Sequence, residues 1–274
     1  MLYSYYLKKD RNIMHFNFKW NWIALLLIVA FLTYKYAWPY YRHFQLKKRT
    51  NRVYALLPKD RVPWKIYGNS EKGHPIYYWQ SGDTGTVTLI FGAFHGDEQS
   101  GFHLVKQLAD TLFAHPDYIH KRVVLVPVVN PDGLLLRTRV NAHGVDINRN
   151  FPTGNWTTRH SKKRYNPGPK PASERETRLV MQMLKDFKPE RIITIHDALR
   201  MNNYNGPARE LAELLASFNG YRVTADVGYP TPGSFGNYGG EERQIPLVTL
   251  ELPDIDPEQV WHQNGEALIA AINF

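Results

Sequence analysis

Four short apolar runs organise the chain beyond residue 86. They lie at 87–91 (VTLIF), 123–129 (VVLVPVV), 192–195 (IITI) and 247–250 (LVTL). Runs this short, with little polar alternation, read as strands buried on both faces. Between them, 99–113, 174–187 and 207–218 carry helical patterning. The middle stretch opens on Ser173-Glu174-Arg175-Glu176, the spacing of a capping box, and stops before Pro189. Buried strands alternating with helices predict one α/β domain with helices flanking the sheet. No internal repeat or low-complexity segment interrupts the pattern.

A fifth apolar run sits near the N-terminus. No charge occurs from Trp20 to Tyr34, and the run reaches a spanning length of about 20 residues if it extends to Trp38 with Lys35 snorkelling. Trp20, Trp22, Tyr34, Tyr36, Trp38 and Tyr40 flank it as an interfacial aromatic belt would. A cleaved signal peptide and a buried helix of a soluble fold are the alternatives. No small-x-small cleavage site follows the run, which favours an uncleaved single-pass anchor. The expected order is a tail (1–19), an anchor (20–38), a basic linker (39–61) and a catalytic domain (62–274).

Composition narrows the classes. The 274 residues are 43% hydrophobic and 22% charged, which is globular and excludes a disordered or multi-span chain. With no cysteine, any metal must be held by His, Asp or Glu. The net charge of +9 is local. Residues 1–65 hold 13 of the 34 Lys/Arg and 2 of the 25 Asp/Glu, which leaves 21 basic against 23 acidic residues beyond them. That distribution suits a membrane surface and argues against nucleic acid as a partner. More Lys and Arg follow the apolar run than precede it, so the positive-inside rule favours a cytoplasmic domain, although long domains can be exported regardless.

Polar clusters begin where the strands end. His95-Gly96-Asp97-Glu98 follows the first, Asn130-Pro131-Asp132-Gly133 the second and His196-Asp197 the third, and Glu251 lies at the end of the fourth. Open α/β sheets bind ligands beyond the carboxyl ends of their strands. Two imidazoles and one carboxylate, here His95, His196 and Glu98, form a known catalytic zinc set that leaves one position open for water. Each piece alone is weak; the ordered combination carries the signal.

Together with Arg139-Val140-Asn141 and Asp146-Ile147-Asn148-Arg149-Asn150-Phe151, these segments resemble the zinc carboxypeptidase family over about residues 62–274. Within it the chain is most similar to bacterial murein peptide amidases, through Tyr165-Asn166-Pro167-Gly168-Pro169 and Tyr229-Pro230-Thr231-Pro232-Gly233-Ser234-Phe235-Gly236. The resemblance implies a mixed, twisted sheet and one Zn2+ ion bound by His95, Glu98 and His196. It implies Glu251 as general base, Arg139 polarising the scissile carbonyl, and Asn148 and Arg149 holding a terminal carboxylate. Asp146 would orient His95, and Tyr229 would be the substrate-side tyrosine, with Tyr238 its competitor. Asp197 departs from the hydroxyl residue of pancreatic-type members.

The implied activity is hydrolysis of peptidoglycan stem peptides at the γ-D-glutamyl–meso-diaminopimelate bond. The alternatives are removal of C-terminal residues from peptides or murein tetrapeptides, and a tethered binding protein without catalysis. The implied location is the bacterial inner membrane with a periplasmic domain, while the flanking charges leave a cytoplasmic orientation open. The basic stretch Arg159-His160-Ser161-Lys162-Lys163-Arg164 reads either as a solvated charge run or as an attractor of anionic substrate.

Overall fold

The computed structural model describes residues 22–82 and 85–274, in two compact units that divide between Arg49 and Thr50. The tail at 1–19 and Trp20, where the anchor was expected to begin, lie outside the described residues. Trp22–Lys59 is helical (α1), the one helix among the described residues long and apolar enough to cross a membrane. Ile23, Leu26, Leu27 and Phe31 are exposed on it. Its turns widen to π geometry over Thr33–Ala37, where the Trp38 N–H bonds to the Thr33 carbonyl, just before Pro39. Proline removes an i→i−4 bond and crowds the preceding turn, and a local widening accommodates it.

The second unit begins within α1. Thr50, Tyr54 and Leu57 are buried, Thr50 Oγ1 lies 2.8 Å from His103 Nε2, and the Tyr54 hydroxyl donates to the Pro75 carbonyl at 2.7 Å. The stretch expected as a linker is therefore helical through Lys59, and its last turns belong to the folded unit.

Eight strands form one mixed sheet: β1 (Lys65–Asn69), β2 (Pro75–Ser81), β3 (Val87–Phe91), β4 (Arg122–Val126), β5 (Arg191–Asp197), β6 (Met201–Asn205), β7 (Arg222–Thr224) and β8 (Leu247–Leu252). Their order is β1-β2-β4-β3-β5-β8-β6-β7. The central β4-β3-β5-β8 group is parallel and corresponds to the four apolar runs. β2 and β6 extend it antiparallel on either side.

The two-residue period of the strands sorts their side chains. Ile90, Leu125, Ile193 and Val248 pack with α2 (Gln99–Ala114), α5 (Arg209–Asn219) and α6 (Pro257–Asn273). Leu89, Phe91, Ile192 and Leu247 pack with α4 (Arg175–Phe187) and an aromatic group of Phe94, Phe151, Phe235 and Tyr238. All of β3 is buried, and each large aliphatic side chain there contributes about 1.5–3 kcal/mol. His196 shares parity with Ile192, and Glu251 with Leu247, so both chemistry-bearing side chains project to the aromatic side.

One local expectation is corrected. α4 begins after Glu174 without a side-chain cap, and Ser173 does not close a capping box. Ser173 Oγ instead donates to Glu174 Oε1 and receives a bond from Asn150 Nδ2, while Glu176 Oε1 accepts from the Glu71 N–H. Tertiary partners have claimed both ends of the motif.

Candidate active site

The chain leaves β3 for β4 on one side, and β5 pairs with the other side of β3. The carboxyl ends of β3 and β5 thus flank a switch point, where a crevice must open. Beyond Phe91 the chain turns through Ala93, at φ 41°, and delivers His95 to that crevice. Gly96 makes the turn possible, because a Cβ there would stand 1.8 Å from the Gly133 carbonyl carbon. Only glycine lets the His95–Glu98 turn press against the start of α3 (Pro131–Leu136), which Asn130 caps by accepting from Gly133 N–H at 2.9 Å. The first two polar clusters of the sequence are one packed unit. On the neighbouring strands His196 and Glu251 are directly paired residues.

His95, Glu98 and His196 are buried, and their ligand atoms lie within 4.8 Å of one another. His95 Nδ1 is 2.7 Å from Glu98 Oε1, His196 Nδ1 is 2.8 Å from Glu98 Oε2, and the two Nδ1 atoms are 3.2 Å apart. The other nitrogen of His95, Nε2, meets Asp146 Oδ1 at 3.0 Å. Asp146 Oδ2 accepts from Arg139 Nε at 2.8 Å, and Arg139 Nη1 reaches Glu98 Oε1 at 3.2 Å. Burial opposes ionisation of Asp146, but Arg139 and His95 outweigh it and hold the carboxyl well below its usual range.

These groups open on a cavity of about 520 Å³ that Asn148, Arg149, Tyr229 and Glu251 also line. Glu251 is 7% exposed, and its Oε2 has no hydrogen-bond partner among the described residues. Burial, then the charge of Glu98, pushes its carboxyl up to about 8. Arg149 is also buried, with Nη1 donating to the Asn148 carbonyl at 2.6 Å. Burial lowers the pKa of its guanidinium without discharging it, so an incoming carboxylate would relieve that penalty. Tyr229 is half exposed on the cavity wall. Tyr238 is buried against Phe151, with the Arg243 guanidinium over its ring, and does not line the cavity.

The zinc carboxypeptidase family model matches residues 55–213. The chain belongs to this family. Murein peptide amidase A of Escherichia coli (strain K12) is 34% identical over 206 residues, which cover 70% of this chain and 82% of that one. The protein of the same name from Vibrio campbellii is 32% identical over 80% of this chain and 92% of its own. The crystal structure of a murein-tripeptide amidase from Escherichia coli O157 superposes with a TM-score of 0.66 at 30% identity, covering 77% of this chain and 92% of that one. As a member of the zinc carboxypeptidase family the chain is a hydrolase, which sets aside the non-catalytic reading.

The donor chemistry fits the family's metal. Bonds of about 2.0–2.1 Å in a tetrahedron separate ligand atoms by about 3.3 Å; the imidazole nitrogens stand at 3.2 Å, while the Glu98 oxygens are drawn in to 2.7 and 2.8 Å from them. Two ring nitrogens facing each other beside one carboxylate also need a cation, or a proton, between them. The Asp146 contact to His95 is of the kind that would hold the ring of a ligating histidine in place.

Several residues in and beside the cavity have roles that their local sequence does not mark. Tyr165 lies under Arg139 and Arg149, its ring centre 5.2 and 6.0 Å from their guanidinium carbons. Asn203 and Asn205 on β6, together with Asp226, Asn237 and Glu241, make a polar wall of the cavity. Asn205 Nδ2 donates to Glu241 Oε1 at 2.9 Å, and Asp226 Oδ1 accepts from the Gly228 N–H at 2.7 Å. Neither carboxylate has a cationic partner within 4 Å among the described residues.

Proposed function

We propose that this protein is a zinc-dependent amidase that hydrolyses the γ-D-glutamyl–meso-diaminopimelate bond of peptidoglycan stem peptides. The polar wall carries this reading. Diaminopimelate presents a carboxylate beside the scissile bond, which suits Arg149, and a distant ammonium and carboxylate, which suit Asp226, Glu241 and the three asparagine amides. An apolar C-terminal residue would gain nothing from these polar groups and would lay its own apolar surface against them. The murein-directed names of the two enterobacterial and vibrio relatives support the same substrate class.

His95, Glu98 and His196 would hold the zinc ion, which when bound acidifies water and polarises a carbonyl. Glu251 takes the proton of the attacking water and passes it to the departing nitrogen. Arg139 donates to the oxyanion that develops on the glutamyl carbonyl, an interaction typically worth about 3–4 kcal/mol. Asn148 and Arg149 grip the carboxylate of the leaving residue, and Tyr229 covers it from the rim. Asp146 fixes the ring of His95 and the guanidinium of Arg139 together, so one buried carboxylate aligns both halves of the site.

Incubation with L-Ala-γ-D-Glu-diaminopimelate should release free diaminopimelate and L-Ala-D-Glu by mass spectrometry. Intact tripeptide in the presence of stoichiometric zinc would reject the assignment, and release of a terminal residue from ordinary peptides at comparable rates would favour the carboxypeptidase reading. Arg149→Ala should lower kcat/KM by about a hundredfold on free-acid substrates, as expected for truncating one member of a buried charge pair. The same change should matter little on the matching C-terminal amides.

The segment 20–38 acts in this proposal as an uncleaved anchor in the inner membrane, with the enzyme on the periplasmic side where its substrate lies. Deleting residues 1–38 keeps Thr50, Tyr54 and Leu57 in place and should yield soluble, active enzyme. Aggregation of that product would assign the apolar run to the fold. Digestion by protease added to cells with a permeabilised outer membrane checks the orientation.

A further inference from the structure

A second cavity of about 660 Å³ adjoins the first. The two share Arg149, Tyr229, Pro230 and Pro232 as walls. Leu199, two residues beyond the end of β5, also lines the second cavity, which meets the first along these shared walls. Its outer wall is part of the basic stretch and includes Arg159, His160 and Lys162. Arg164 of the same stretch is already engaged, with Nη2 at 3.1 Å from Asp97 Oδ2. Arg159 and Lys162 have no carboxylate within 4 Å among the described residues. The two cavities therefore differ in sign: the first holds Asp226 and Glu241 without a cationic partner, and the second holds Arg159 and Lys162 without an anionic one.

A hydrolase needs room for both halves of its substrate. If the amine half occupies the first cavity, the acyl half must leave the reacting centre by another route, and the basic cavity is the adjoining space. We propose that this cavity is the acyl-side subsite, and that Arg159 and Lys162 select an acyl residue carrying a free carboxylate. The inference rests on the function proposed above. A γ-linked glutamyl residue has that carboxylate, because its α-carboxyl is not used in the chain. Two cations facing one anion in a cleft attract it over a Debye length of about 8–10 Å, and this attraction weakens with salt.

The test compares L-Ala-γ-D-Glu-diaminopimelate with the tripeptide in which the glutamyl α-carboxyl is an amide. The wild-type full chain should prefer the carboxylate substrate by about tenfold in kcat/KM, with the preference shrinking as salt rises. In R159A/K162A the loss on the carboxylate substrate should exceed the loss on the amide by about tenfold, bringing the two rates together. R159K/K162R, which keeps both charges, should retain the preference and controls for the integrity of the loop. Equal wild-type rates on the two substrates, or a preference that survives R159A/K162A, would overturn the subsite assignment while leaving the amidase reading standing. If the wild type cleaves neither substrate, the amidase reading falls and this inference falls with it.

Discussion

Replacing Glu251 by glutamine is expected to lower kcat by about 10²–10⁴, the range that a positioned general base contributes. Glutamine keeps the shape of the side chain and one acceptor oxygen but cannot take a proton at neutral pH. The zinc content should stay at one ion per chain, because Glu251 is not among the three groups whose ligand atoms converge. Thermal stability should not fall. The native carboxylate is buried, has an oxygen without a partner and feels the charge of Glu98, all of which weigh against the ionised form. Loss of activity without loss of metal or stability is a combination that a structural role cannot produce. Normal turnover of the glutamine variant, measured on the tripeptide with metal content and melting followed in parallel, would remove Glu251 from the mechanism.

The legible parts of the sequence were those fixed by burial on both faces. β3, β4, β5 and β8 are central, so their residues are apolar almost throughout, and the polar residues that interrupt them stand out. His95, Glu98, His196 and Glu251 could be found because each breaks such a run at its carboxyl end. The strands outside that central group were not legible for the same reason. β6 reads Met-Asn-Asn-Tyr-Asn, and asparagine is depleted in strands; antiparallel pairing with β8 imposes its conformation. Two of those asparagines belong to the polar wall, so the side chains on which the proposed specificity rests lie where the strand signal is weakest. β1 is largely exposed, with an irregular register near Gly68, and shows no apolar run at all. α6 does carry a readable start, since Asp256 accepts from the Glu258 N–H with Pro257 at the first helical position. Tyr165 lay inside a recognised stretch, but nothing local shows that two guanidinium groups converge on its ring.

Replacing His196 by alanine is expected to remove the metal and, with it, all measurable hydrolysis. The remaining donors would be one imidazole and one carboxylate, too few for a site of the three-ligand type that catalytic zinc uses. Zinc content after dialysis should drop from one ion per chain to below about a tenth, and activity to below about a thousandth of wild type, consistent with a rate gain that depends on acidified water. Some stability should go as well, because the imidazole stacks on Phe94 with ring centres 5.7 Å apart and is almost fully buried. Truncating a buried ring to alanine typically costs about 3–5 kcal/mol, so the variant should be compared at a temperature well below its own melting point. A chelator provides the control without mutation. Wild type stripped of metal should lose activity to the same extent and regain it with added zinc, whereas H196A should not respond. Asp146 supplies the intermediate case: Asp146→Asn keeps all three ligands but weakens the support of His95 and Arg139, so metal affinity should fall by about 10–100-fold. A graded response, from wild type through the asparagine variant to the alanine variant, is what a metal centre braced by a buried carboxylate requires. Full activity in zinc-free enzyme would reject that centre outright.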